Sequence, residues 1–208
     1  MFDFNIINKT ELFAKEIMDN YDESHDFNHA MRVKILATRI AKEEQLNEDE
    51  IFEIILASLV HDINDHKYIN GESQKTKLEN FFKDLLEPWQ MDKVVYLACN
   101  VSLSMEIKLK NANTKCISYN LDKQLNCIRD ADRIESLGSI GIIRYFTYGI
   151  VNVNSNAEQI IKNIEDRTAV LMQHIKTDLG KKISREKYTI IKLFIDDYYN
   201  TIHNYHSY

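Results

Sequence analysis

The stretch of this chain with the most chemistry is Leu59-Val60-His61-Asp62-Ile63-Asn64-Asp65-His66-Lys67, where an apolar run ends in consecutive metal-ligating, acid-base and cationic side chains. Adjacent helical positions point about 100° apart, so His61 and Asp62 share one cation only at a helix end, where both side chains can bend toward it. A catalytic metal takes at least three protein groups and keeps a position for water or substrate. Further donors are present: His29, in Ser24-His25-Asp26-Phe27-Asn28-His29-Ala30-Met31-Arg32-Val33, and a distant carboxylate in Ile128-Arg129-Asp130-Ala131-Asp132-Arg133-Ile134.

Two imidazoles and two carboxylates suit a borderline divalent ion (manganese, iron, cobalt, nickel or zinc) better than calcium. Four protein ligands on a six-coordinate ion leave room for a water and a phosphate oxygen, which is the arrangement of a metal-dependent phosphohydrolase. Moving phosphate charge needs cations nearby, and Lys67, Arg144, Arg32 and His25 are the candidates for those contacts. Each of these residues also has a plain structural reading. His29 can be a helix-start histidine bonded to a carboxylate, Asp132 can pair with Arg129 or Arg133, and Asp130 competes with Asp132 for the fourth position.

The elements that must position these groups are helices. Ile51, Phe52, Ile54, Ile55, Ala57, Leu59 and Val60 leave almost no polar face, so the helix that delivers His61 is expected to be buried on most sides. It starts at Asn47-Glu48-Asp49-Glu50, a capping box. Val33, Leu36, Ala37, Ile40 and Ala41 repeat at helical steps behind His29, in a helix entered through Tyr21 to Asn28 and running to about Glu44. Ala131, Ile134, Leu137 and Gly138 form a packing stripe with Asp132 at its edge.

These three blocks resemble the HD-domain superfamily of metal-dependent phosphohydrolases, and within it small bacterial single-HD-domain proteins. The resemblance is carried by Ser-His-Asp-x-x-His-x-x-Arg-Val, by His-Asp-Ile-x-Asp-x-Lys-Tyr, by Asp-Ala-Asp-Arg-Ile-x-x-Leu-Gly-x-Ile-Gly-Ile-x-Arg at residues 130–144, and by Asp178-Leu179-Gly180-Lys181; it spans roughly residues 20 to 200. It implies His29, His61, Asp62 and Asp132 as metal ligands, selecting Asp132 over Asp130. It implies Asp65 as the group that orients or deprotonates the attacking water, with Lys67 beside it. The ion it implies is divalent, Mn²⁺ first, with Mg²⁺, Ni²⁺, Co²⁺, Fe²⁺ or Zn²⁺ as alternatives.

The activity it most suggests is hydrolysis of nucleoside or deoxynucleoside triphosphates to monophosphate and pyrophosphate. A 5′-nucleotidase or cyclic-nucleotide phosphodiesterase would use the same cluster. An alarmone hydrolase is disfavoured, because its relatives carry two adjacent acids after the dyad and here His66 follows Asp65. From another class, the chain could be a non-catalytic nucleotide-binding module. Phe27 and Asn28 stand where relatives often show another aromatic, which bears on base selectivity and not on the metal ligands.

At 208 residues, with one Pro and five Gly, the chain reads as an all-α protein. The expectation is a single HD-type helical bundle over 1–208, with the metal-site core at about 20–150 and C-terminal helices at about 155–203 packed on it. A net charge of −6 argues against a nucleic-acid polymer as partner and leaves a small nucleotide or other phosphoester; a homodimer is compatible. Cys99, Cys116 and Cys127 show no paired motif and read as reduced thiols of a cytoplasmic protein. No apolar run reaches membrane length, and the first residues lack a basic leader.

Elsewhere, Thr10 is read as the cap of a first helix ending near Met18. Asn70-Gly71-Glu72-Ser73 is read as a turn, followed by a helix over Lys75 to Leu86. Pro88 suits a first helical turn, and a helix covers Asp92 to Leu103. Residues 108–123 are the least patterned and read as a loop bordering the substrate entrance. Ile160, Ile161, Ile164, Leu171 and Ile175 mark a long helix closed by Gly180 as C′ glycine, and Ile191, Phe194, Ile195, Tyr198 and Ile202 mark the last one. Tyr68, Tyr145 and Phe146 are read as core, or as surfaces for a base to stack on. His66 is read as structural or exposed, and the tail histidines His203 and His206 as solvated.

Overall fold

A computed structural model of the chain describes residues 2–19, 21, 26–63, 73–112 and 121–205. Within them the chain is all-helical: α1 (Phe4–Met18), α2 (Phe27–Glu43), α3 (Glu48–Val60), α4 (Gln74–Phe82), α5 (Pro88–Cys99), α6 (Leu103–Ala112), α7 (Asp122–Glu135), α8 (Gly138–Val153), α9 (Ala157–His174) and α10 (Asp178–Tyr205). No described helix is long and apolar enough to cross a membrane. The residues fall into two compact units, one reaching to Asp132 and the other running from Arg133 to the C-terminal end.

In the first unit α3 is the axis. Every residue from Ile51 to Val60 is buried, as its sequence demanded, and α1, α2 and α5 pack against it. Its capping box forms as expected, the Asn47 side chain accepting from Glu50 N–H while the Glu50 carboxylate accepts from Asn47 N–H. The burial includes one charge. Glu53 is 1% exposed and is met by Lys93 Nζ of α5 at 3.2 Å and by Gln124 Nε2 of α7 at 2.6 Å, so one carboxylate ties three helices together. Glu53→Ala is expected to cost roughly 2–4 kcal/mol, because it strands two polar partners at a buried position; urea denaturation of the variant measures it, and a loss under about 0.5 kcal/mol would show the network to be incidental.

In the second unit α8, α9 and α10 pack on one another. Gly138 takes φ +68°, a left-handed turn in which other residues are strained, and a Cβ on Gly141 would overlap the Ser136 carbonyl. Gly141→Ala should therefore lower stability by at least about 2 kcal/mol, since the obstacle is backbone that cannot step aside. A melting temperature equal to that of the parent would contradict the close approach.

Several element boundaries differ from the sequence expectation. Thr10 is no cap: α1 begins seven residues earlier in the chain than a Thr10 cap would allow, capped by Asp3, whose carboxylate accepts from Asn5 and Ile6 N–H. Thr10 is buried inside the helix with its hydroxyl on the Ile6 carbonyl. The helix that follows Ser73 stops at Phe82, and α5 stops at Cys99 with Pro88 in its first turn; residues 70–72 of the turn read before Ser73 lie outside the described residues. The supposed loop from residue 108 overlaps α6, which runs to Ala112; its remainder to residue 120 lies outside the described residues. Gly180 closes nothing: α9 ends at His174, and Gly180 sits in the first turn of α10, its N–H donated to the Thr177 hydroxyl.

Candidate metal centre

Three helices of the first unit deliver four donor groups to one place. Asp26 caps α2 by accepting from His29 N–H, which sets His29 in the first turn, fully buried. His61 is the C-cap residue of α3 and Asp62 follows it, so both hang from the helix end, the one place where adjacent residues can converge. Asp132 comes from α7. One donor atom from each of His29, His61, Asp62 and Asp132 lies within 4.8 Å of the others.

The contacts are close but too long for hydrogen bonds, which run at roughly 2.7–3.2 Å for N–H···O. His29 Nε2 is 3.5 Å from Asp62 Oδ2 and 3.4 Å from Asp132 Oδ1; His61 Nε2 is 3.4 Å and 3.7 Å from the same two oxygens. Ligands about 2.1 Å from a common ion would stand roughly 3.0–3.4 Å apart at octahedral or tetrahedral angles, close to what is seen. The imidazoles are buried, whereas the Asp62 and Asp132 side chains keep 27% and 26% of their surface exposed, so the group opens on its carboxylate side.

The supports of His61 fix its chemistry. Its Nδ1 stands 2.8 Å from the Ser58 carbonyl, which can only accept, so Nδ1 carries the proton. In the neutral ring Nε2 then turns a lone pair toward two carboxylate oxygens, and this buried atom has no hydrogen-bond partner among the described residues. Only a cation between them, a proton or a metal ion, makes that arrangement favourable. Gln74 Nε2 donates to the Val60 and His61 carbonyls at 3.1 and 2.6 Å, and the Tyr21 hydroxyl donates to the Ile63 carbonyl, pinning the chain on both sides of Asp62. On α7, Arg129 is buried, and its Nε and Nη2 donate to the Asn100 carbonyl at 3.0 and 2.8 Å, one helical turn before Asp132. Ser58, Gln74, Tyr21 and Arg129 carried no sequence signal of these roles, since each acts through a backbone carbonyl that only the folded chain brings near.

The electrostatics follow from the geometry. Burial by itself would push the His61 imidazole down, but the Asp62 charge, the Asp132 carboxylate and the Ser58 carbonyl outweigh it and raise it to about 9. Burial would push Asp62 and Asp132 up; the histidines beside them, His61 first for Asp62 and His29 first for Asp132, hold both below the ordinary carboxylate range.

A proton on His61 thus can do the work of a cation there. Its folded value lies above the model-compound 6.5, so this stabilisation is fully present below about pH 6.5 and is lost as pH rises through about 9. Metal-free protein is expected to lose on the order of 2 kcal/mol across that window, while a divalent ion at pH 7 to 8 should release close to one proton as it binds. Melting in EDTA at pH 6.5 and 9, with calorimetry of Mn²⁺ binding in buffers of different ionisation enthalpy, measures both. Binding without proton release would mean that His61 is not displaced onto the ion.

Of the remaining candidates, Arg32 lies one turn beyond His29 on α2, half-buried, and Arg144 lies on α8 in the second unit. Asp130 is fully buried but is not one of the four grouped donors. His25, Asp65, His66, Lys67, Tyr68, Cys116 and His206 lie outside the described residues.

No protein-family model matches the chain. An uncharacterized protein of Acanthamoeba polyphaga mimivirus, L803, is 26% identical over 146 residues, 68% of this chain; the chain spans only 60% of that protein's length. YpgQ of Bacillus subtilis is 20% identical over 190 residues, 88% of this chain and 87% of YpgQ. The crystal structure of YpgQ in complex with ADP has a TM-score of 0.74 at 19% identity, covering 94% of this chain and 97% of that one. An HD-superfamily hydrolase from Bacillus thuringiensis has a TM-score of 0.71 at 22% identity, covering 96% and 98%. Likeness at these identities speaks for the fold: the chain has the all-α architecture of these proteins, and it carries a His/Asp group suited to a divalent metal ion.

Proposed function

We infer that this chain is a metal-dependent hydrolase of phosphoester or phosphoanhydride bonds whose preferred substrates are nucleoside or deoxynucleoside triphosphates, cleaved to monophosphate and pyrophosphate. The observation that carries the reading is the convergence of His29, His61, Asp62 and Asp132 with the His61 lone pair turned inward. Two carboxylates balance a divalent charge, and two neutral imidazoles favour a borderline ion such as Mn²⁺. When bound there, such an ion supplies Lewis acidity to a water and to a phosphoryl oxygen.

The protein's own residues take the other parts. Ser58 keeps the His61 tautomer that offers Nε2, and Gln74 and Tyr21 hold the His61-Asp62 backbone. Asp65 is assigned the proton of the attacking water, and Lys67 the charge that develops on the leaving phosphate. Arg32, His25 and Arg144 are assigned to the rest of the phosphate chain. A nucleotide as substrate is supported by the ADP bound to YpgQ, a protein of the same fold.

The deciding experiment is a phosphate and pyrophosphate release screen on the purified protein, with NTPs, dNTPs and NMPs, in Mn²⁺, Mg²⁺, Ni²⁺ or EDTA. Pyrophosphate from a triphosphate, absent in EDTA and in His61→Ala, is the expected result. Phosphate from monophosphates would move the reading to a 5′-nucleotidase. Binding of nucleotide with no turnover in any metal would leave a nucleotide-binding module.

A further inference from the structure

On the far side of α2 from His29, the first unit carries a cavity of about 680 Å³ that the proposed hydrolysis does not use. Its floor is apolar, built from Phe4 and Ile7 of α1, Ile35 of α2 and Ile55 of α3, and Phe4 and Ile35 are 67% and 62% exposed within it. Its rim is cationic, with Lys34, Arg39 and Lys42 along one edge of α2, in a chain whose net charge is −6. Lys34 is already neutralised by Glu11 at 2.6 Å. Arg39 and Lys42 make no ion pair among the described residues.

We propose that this groove binds a small single-chain amphipathic anion, a fatty carboxylate or an alkyl phosphate, with the chain along the apolar floor and the head group at Arg39 and Lys42. The volume lies within the roughly 300–1,000 Å³ of small-molecule sites, and an apolar wall with a few charged groups is their usual make-up. Length argues against a protein partner. From Phe4 to Glu11 the groove follows about 10 Å of α1, near the reach of an alkyl chain of roughly eight to ten carbons. A stable protein interface needs on the order of 800 Å² from each partner, far more than two helical turns offer. The two cations, which have no ion-pair partner among the described residues, select an anion over a neutral lipid, and neither belongs to the candidate metal centre, so this inference stands independently of the hydrolytic one.

The test is calorimetric titration of the full-length protein with decanoate, decyl phosphate, decyl maltoside and inorganic phosphate, each below its micelle concentration. Decanoate, decyl phosphate or both should saturate at one per chain, with decyl maltoside at least tenfold weaker; the anion that binds better identifies the head group. The double variant Arg39→Glu, Lys42→Glu should weaken the anions at least tenfold and leave decyl maltoside binding and pyrophosphate release from nucleoside triphosphates unchanged. Ile35→Asp should weaken every alkyl ligand. All three positions are at the surface, so unchanged melting temperatures are expected and keep the comparison interpretable. The proposal is overturned if decyl maltoside binds as tightly as the anions, if charge reversal changes nothing, or if decyl phosphate binding disappears in EDTA and is therefore held by the metal centre. A concentration-dependent dimer that Ile35→Asp breaks, with no ligand bound, would likewise overturn it in favour of a second copy of the chain.

Discussion

Asp62→Ala is expected to abolish both divalent-ion binding and turnover, with kcat/KM falling on the order of a thousandfold or more. The substitution removes one of two anions that balance the ion, and it takes away the nearest carboxylate to His61 Nε2, at 3.4 Å. The loss should not be a folding artefact. Asp62 is partly exposed beyond the end of α3, and Gln74 and Tyr21 hold the backbone on either side of it. Above about pH 9, where the His61 proton that Asp62 stabilises is already lost, metal-free Asp62→Ala should therefore melt close to the metal-free parent, and at lower pH it should fall below it by that ion pair; at either pH the parent alone should gain stability from added Mn²⁺, by about 2.7 kcal/mol at a hundred times the dissociation constant. Stoichiometric Mn²⁺ on the variant, measured by elemental analysis, would remove Asp62 from the ligand set. Asp130→Asn provides the contrast: it should cost stability at a fully buried position and still bind one ion.

The second large effect is expected at Asp65. If this carboxylate takes the proton of the attacking water, Asp65→Ala keeps the metal and loses about 10²- to 10⁴-fold in kcat, the usual range for removing a general base. The variant should also lose the acidic limb of the pH-rate profile, which a purely structural residue would leave in place. Single-turnover rates and metal content read side by side make the distinction. A metal-free Asp65→Ala would turn this residue from base into ligand, and an unchanged kcat would take it out of the reaction.

The parts of the molecule legible in the sequence were those whose physics is local. Asn47 and Glu50 write a helix start into four residues, and the run from Ile51 to Val60 states its own burial; both are present in α3. The packing stripe behind His29 is likewise found in α2, with Val33, Ala37, Ile40 and Ala41 buried. What failed depended on partners far along the chain or on competing local signals. In α6, Leu103, Met105, Ile107 and Leu109 alternate like a strand, and the helix buries Glu106 while Ile107 is 45% exposed, so its pattern hid it. Thr10 looked like a cap because threonine often is one, yet Asp3 is the better acceptor and the helix had already begun. Gly180 looked like a stop, but the Thr177 hydroxyl starts a new helix around it.

At the metal centre the sequence could offer the donors but not choose between Asp130 and Asp132, since both are acidic and two residues apart on one helix. In the fold Asp130 is fully buried and Asp132 half-buried, and only Asp132 joins the histidines. The resemblance made that choice; spacing alone did not.

Arg129 explains how such a choice can hold to a fraction of a bond length. Its guanidinium grips the Asn100 carbonyl through two hydrogen bonds, which fixes the azimuth of α7 about its own axis. A carboxylate some 5–6 Å from that axis would sweep about 2 Å for a turn of roughly 20°, as much as a whole metal–oxygen bond. The residue that caps the end of α5 thus serves as a rotational stop for the helix that carries Asp132, and the position of that carboxylate is set by a backbone oxygen outside the donor group.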